Sequence, residues 1–222
     1  MYMKRNVFLL FVLPGLLAFL GCGTTAPAAQ PPADSAATTV PELKLIDNCE
    51  GGGVGGVWST YSDANADNGD STSLPNPFVL QNDGNGANGT KGYAKFYGTV
   101  TKKCPYGFSG LTYDFNADKK STLDISGYTG FSFWMKGDGN FYNFAVKSPA
   151  VVTDFAYYEF GIRTTKEWKE YKVPFAKFSQ ESWGKSKDLT QCLKNATGFQ
   201  VQTIGQPIAE FEAQIDEISL YK

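Results

Sequence analysis

The stretch from Trp58 to Ser71, WSTYSDANADNGDS, sets two aromatic rings beside a run of Asp, Asn and Gly. Such a run can serve as a solvated loop, a cation site or the rim of a binding cleft. Asp63, Asn65, Asp67 and Asp70 stand at near-alternate spacing. A calcium loop collects about six to eight oxygens from spacing of this kind. Here the turning glycine comes one place late, at Gly69, and no Glu follows where a bidentate closing ligand would stand. The run therefore reads as a solvated rim, with Trp58 anchoring it in the core.

The chain contains no His. That removes the commonest general base, Ser-His nucleophile activation and imidazole zinc sites. A net charge of -2 without a basic stripe argues against nucleic acid. Asp and Glu are plentiful, but no motif pairs two of them across a cleft as glycoside hydrolysis requires.

Other candidates come from period-two alternation, which sends neighbouring side chains to opposite faces. In GFSFWMKG, Phe131, Phe133 and Met135 share one face and Trp134 lies opposite them. In AYYEFGIR, Tyr157 and Glu159 oppose Tyr158, Phe160 and Ile162. In GFQVQTIG, Gln200 and Gln202 oppose Phe199 and Val201. Asn143 and Arg163 carry weaker signals of the same kind. An aromatic ring on a polar sheet face suits sugar, whose rings have flat C–H faces and whose hydroxyls pair with amides and carboxylates. The alternative for each is a solvated face, or for Trp134 a ring packed under a loop.

The elements that must position these residues are strands. YAKFYGTV, GLTYDF, FYNFAVKS, EYKVPF and AQIDEISLY add to those above, divided by Gly, Asn and Asp turns. Helix-like stretches are few and short, with FAKFSQ and DLTQCLKNA the candidates. Gly is abundant at 24 residues and aromatics reach 15%, a pairing that suits short strands and tight turns. An all-β sandwich or jelly roll is expected. With about 180 residues from Leu43 to Lys222, no internal repeat and no second linker, one domain is expected at 43–222.

The N-terminus reads as a leader. Lys4 and Arg5 precede the apolar run Val7 to Leu20, which Pro14 and Gly15 interrupt. It is shorter than the roughly 20 residues of a membrane span and fits a signal peptide at 1–21. FLGCG then resembles a bacterial lipobox, with Phe19 where Leu is usual. This implies cleavage after Gly21 and lipid on Cys22. Residues 22–42, rich in Ala, Pro, Thr and Ser, read as a disordered tether. The expected location is the bacterial cell envelope, at the outer membrane or cell surface, with membrane contact through the lipid alone. In an oxidising compartment three further Cys remain. Cys49, in the apolar LKLIDNCE, reads as a buried free thiol. Cys104 and Cys192, near turn-like residues, are the expected disulfide, although connectivity does not follow from sequence alone.

Several pieces then follow in a familiar order: LIDNCEGG, WSTYSD, GFSFWMKGDG, TTKEWKEYKVPFAKF and AQIDEISLY. Together they resemble the galactose-binding-like jelly-roll β-sandwich of family 11 carbohydrate-binding modules and the related complex I intermediate-associated domain. Trp168, Val173, Pro174, Phe175 and Phe178, with Ile215 to Ile218, are the most specific pieces. The resemblance implies non-catalytic binding of polysaccharide, β-glucan or cellulose-like chains, on an open face. It places Tyr61 as a cleft tyrosine, beside Trp134, Tyr157, Glu159, Gln200 and Gln202. It also implies a structural calcium at Glu50 and Asp216, between the first strand and the last. The chain departs from the family pattern at Asn48 and Cys49, at Thr203 where an aromatic is usual, and in an apparent insertion from Ser73 to Lys91. A surface assembly or adhesin lipoprotein without a sugar ligand is the alternative. A glycoside hydrolase accessory in polysaccharide breakdown is the second alternative.

Overall fold

The computed structural model describes residues 42–66 and 68–222. The expected leader at 1–21, Cys22, the tether as far as Pro41, and Asp67 lie outside the described residues. In chain order the strands are β1 (Leu43–Asp47), β2 (Val57–Ser62), β3 (Thr72–Leu74), β4 (Gln81–Asn82), β5 (Gly92–Val100), β6 (Ser109–Asp114), β7 (Gly130–Gly137), β8 (Phe141–Lys147), β9 (Tyr158–Arg163), β10 (Lys169–Pro174), β11 (Ser179–Gln180), β12 (Gly198–Thr203) and β13 (Ile208–Tyr221). Two short helices, α1 (Asp63–Ala66) and α2 (Leu189–Lys194), interrupt them.

The strands form two antiparallel sheets, giving the jelly-roll sandwich expected from the strand pattern. The seven-stranded sheet runs β10-β7-β13-β5-β3, with β1 also paired to β13 and β4 to β5. The six-stranded sheet runs β11-β9-β8-β12-β6-β2. The long β13 serves two partners on one side, β5 along its first half and β1 along its last residues. A register shift between Asp216 and Ser219 separates them, and Glu217 takes a left-handed φ of 51° there.

Alternation places the core as expected. Phe131, Phe133 and Met135 of β7 are fully buried. Phe133 stacks on Phe144 of β8 at 4.6 Å between ring centres, and Phe144 on Phe199 of β12 at 5.1 Å. These rings join the two sheets. Trp58 packs against Tyr113 at 4.8 Å and Phe199 at 5.6 Å, so it anchors β2 in the core.

The helical candidates divide. DLTQCLKNA forms α2, because Asp188 caps its start by accepting Gln191 N at 2.9 Å. FAKFSQ yields only a single tight turn, Phe175–Lys177, before β11. Cys49 is a buried free thiol. The expected Cys104–Cys192 bond is corrected: both are free thiols. Cys192 is buried on α2, which leads into the Gly198 end of β12. Cys104 leads into Ser109, whose N–H donates to Thr203 Oγ1 at the other end of β12. A strand of that length spans about 17 Å, whereas bridged Cα atoms lie within about 7 Å.

Candidate functional site

The outer face of the six-stranded sheet collects most of the singled-out residues. Its register makes two polar rows. Across one, Tyr61, Gly110, Gln202, Asn143 and Gly161 are successive partners. Across the next, the partners are Ser59, Thr112, Gln200, Ala145, Glu159 and Ser179. At about 4.8 Å per strand, the first row extends about 19 Å.

Tyr61 lies flat over Gly110. A Cβ on Gly110 would stand 2.3 Å from the Tyr61 Cζ, so only glycine leaves room for the ring. The Tyr61 hydroxyl donates to Gln202 Oε1 at 2.8 Å. Phe108 closes on the ring at 6.0 Å. Burial pushes the Tyr61 phenol far up, and Tyr157 and Glu159 add to the push. Tyr61, Gln202, Gln200, Glu159 and Tyr157 therefore lie together on one face of this sheet.

Asn143 Nδ2 donates to Glu159 Oε1 at 2.6 Å. Burial, then the neighbouring Glu181 carboxylate, pushes Glu159 up to about 8. Beside it, Lys147 Nζ meets Asp114 Oδ1 at 2.5 Å, with Asp114 nearly buried.

Two expectations change. Tyr157 is on this face, but only 5% of it is exposed. It packs in a small cluster with Ala145, Val152 and Cys192, so its ring is part of the floor and little of it is open to a ligand. Burial pushes its phenol up to about 12. Trp134 is not in the site. It belongs to β7, half-buried on the outer face of the seven-stranded sheet, with Glu170 and Asp216 as its register partners. Alternation located the side of its strand correctly. It did not tell which of two sheets the strand joins.

Asp114, Lys147 and Glu181 were not singled out from sequence. The first two were within reach of the same alternation, opposite Tyr113 and Val146. Glu181 follows a two-residue strand too short to show a period. Arg163 is exposed at the end of β9, with its guanidinium over the Phe141 ring at 5.2 Å.

The opening acidic run does a structural job. Asp63 is fully buried and accepts Ser71 N at 2.9 Å, Ser71 Oγ at 2.7 Å and Phe108 N at 3.2 Å. These bonds tie the loop to the start of β6.

Glu50 and Asp216 converge on one segment, residues 87–92. Glu50 Oε1 accepts Lys91 N at 2.7 Å, and Asp216 Oδ2 accepts Ala87 N at 2.9 Å and Thr90 Oγ1 at 2.8 Å. Burial pushes Asp216 up. Burial, then the charges of Asp216 and Glu50, push Glu217 up. None of these three carboxyls is in an ion pair among the described residues. All-oxygen, anionic chemistry of this kind fits a hard cation. Among the described residues no three Asp, Glu, Cys or His side chains form a metal shell. A calcium ion here would draw the rest of its oxygens from backbone carbonyls or water.

An open cavity of about 1090 Å³ lies away from the two polar rows, between the turn at 49–51 and residues 78–91; Glu50, Thr90 and Lys91 line it, with Trp58 and Phe78 as walls. It is at the β2 edge, on the inner side of that strand.

Residues 56–215 match the family described as Complex I intermediate-associated protein 30. No curated relative matches. Among solved structures, the chain is similar to the family 11 carbohydrate-binding module of a cellulosomal cellulase of Clostridium thermocellum. That match has 20% identity and a TM-score of 0.55, over 82% of this chain and 95% of the other. The Clostridium thermocellum family 11 module in complex with a β-1,3-1,4-mixed-linked tetrasaccharide gives 20% identity and a TM-score of 0.52, over 82% and 96%. A family 30 module from a Clostridium thermocellum cellulosomal cellulase gives 14% identity and a TM-score of 0.52, over 81% and 96%. The chain has the fold of these modules.

Proposed function

The chain belongs to the Complex I intermediate-associated protein 30 family, and from that premise we propose that the outer face of its six-stranded sheet binds polysaccharide without catalysis. The ligand class is a β-glucan-like chain. One observation carries this reading: Tyr61, Gln202, Asn143 and Glu159 lie on one face spanning five strands, held in two hydrogen-bonded pairs, Tyr61 with Gln202 and Asn143 with Glu159. The ring of Tyr61 would stack on a sugar face. Gln202 spends its carbonyl on Tyr61, which leaves its amide N–H groups for sugar hydroxyls. Gln200 adds an amide. A face whose side chains are already held by hydrogen bonds loses little ordering entropy on binding.

Affinity electrophoresis against polysaccharides, with a glycan array, tests the proposal. Binding that Tyr61→Ala abolishes supports it. Failure of the folded protein to bind any glycan sinks it. The family description, which names association with a complex I intermediate, would then favour the reading of an assembly protein without a sugar ligand.

Lipid anchoring at Cys22 and a bacterial envelope location are part of the same proposal, supported by the apolar leader before FLGCG. Cys22→Ser should move the protein from the membrane fraction to the soluble one. Unchanged partitioning refutes the anchor.

A further inference from the structure

Two large aromatic side chains stand in solvent beside this face. Phe155 is 76% exposed and Trp183 is 65% exposed. They belong to separate loops, one leading into β9 and one following β11, and the loops are built onto each other. Asp154 Oδ2 accepts Lys185 N at 2.8 Å. Gln180 Nε2 donates to Ala156 O at 2.8 Å and to Lys185 O at 3.0 Å, and Gln180 Oε1 accepts Lys187 N at 2.9 Å. Gly184 sits so close that a Cβ on it would stand 2.1 Å from Ala156 Cβ. Glycine at 184 is what allows the two backbones to meet.

This clamp fixes the conformation of Phe155. Its φ of 64° is left-handed, costly for a residue with a Cβ and held only where the surroundings impose it. The ring points into solvent and meets Tyr157 edge-on at 6.4 Å. Tyr157 leads directly into β9, two residues before Glu159. The exposed aromatics therefore continue the polar floor across its β9–β11 edge. Exposed aromatic surface beside a polar floor matches a partner with both flat C–H faces and many hydroxyls.

We propose that Phe155 and Trp183 form an aromatic rim that stacks against the sugar rings of a polysaccharide chain as it leaves the sheet past β11. The inference rests on the glycan reading of this face and deepens it: the site favours long chains over short oligosaccharides, because the rim engages rings beyond those over Tyr61.

The test uses the full chain with two probes, a β-1,3-1,4-mixed-linked glucan polymer and the matching tetrasaccharide, supported by a wider glycan array. Trp183→Ala removes one ring from an exposed site. Phe155→Gly removes the other and relieves the left-handed backbone, so neither change threatens the fold. Each should weaken polymer binding by roughly three- to tenfold, the effect of one lost stacking partner. Tetrasaccharide binding should be unchanged, and Trp183→Phe should restore most of the polymer affinity. Wild-type polymer binding in both variants, or equal losses on the two probes, overturns the rim and leaves the glycan reading standing. If the wild-type protein binds no glycan on the array, both readings fail together.

Discussion

Tyr61 lies across Gly110 on the outer face of the six-stranded sheet, so closely that a single methyl group on Gly110 would overlap the ring. The glycine is the seat of the aromatic ring. Gly110→Ala should displace Tyr61, break its bond to Gln202 and cost about 1–3 kcal/mol, as overpacking does. In a Tyr61→Ala background the same change should cost much less. A double-mutant cycle by urea unfolding measures the coupling. Purely additive costs would show that the ring does not depend on this glycine.

Glu159 should make stability fall as pH rises. Its carboxyl is pushed from 4.5 up to about 8 by burial and by Glu181. Between those values the folded protein holds a proton that the unfolded chain releases, so stability declines with increasing pH. The contribution is fully present below about 4.5 and lost above about 8. Glu159→Gln should flatten this part of the melting-temperature profile. A wild-type profile that stays flat or rises between pH 5 and 8 while the variant tracks it would refute the assignment.

Trp134→Ala should leave glycan affinity unchanged. The residue is on the other sheet from Tyr61, and no sugar chain over one face reaches both. Its half-buried position should make the stability loss smaller than the roughly 3–5 kcal/mol of a core aromatic. Affinity electrophoresis of the folded variant checks this. Weakened binding would move the ligand to the seven-stranded sheet.

Calcium should raise the melting temperature by binding the native state alone. Burial holds Asp216 and Glu217 up, the charges of Asp216 and Glu50 add to the push on Glu217, and a cation beside them would relieve both. Chelation should lower the transition, and Asp216→Asn should remove the response. Identical unfolding of metal-free and calcium-loaded protein would exclude a structural ion.

Much of the fold was legible because alternation has a direct physical cause. A strand turns successive side chains to opposite faces, so Phe131, Phe133 and Met135 had to share the core side and Tyr157 and Glu159 the other. The same rule placed Gln200 and Gln202. The absence of His removed whole classes of chemistry. The order of motifs carried the sandwich. What alternation lacks is any term for which strands pair. Trp134 was correctly outward, yet the pairing of β7 with β13 put it on the opposite sheet from Tyr61. Cys104 and Cys192 look alike in their turns, yet α2 and the loop before β6 meet opposite ends of β12. Tyr157 was correctly on the polar face, yet the loop before β9 folded over its ring. Phe155 and Trp183 follow no periodic pattern, and only the contacts of Asp154, Gln180 and Gly184 bring their loops together. Local periodicity is a property of neighbouring residues, and sequence alone determined what it governs. Strand partners, covered faces and joined loops arise from contacts between residues far apart in the chain, and only the tertiary structure decided them.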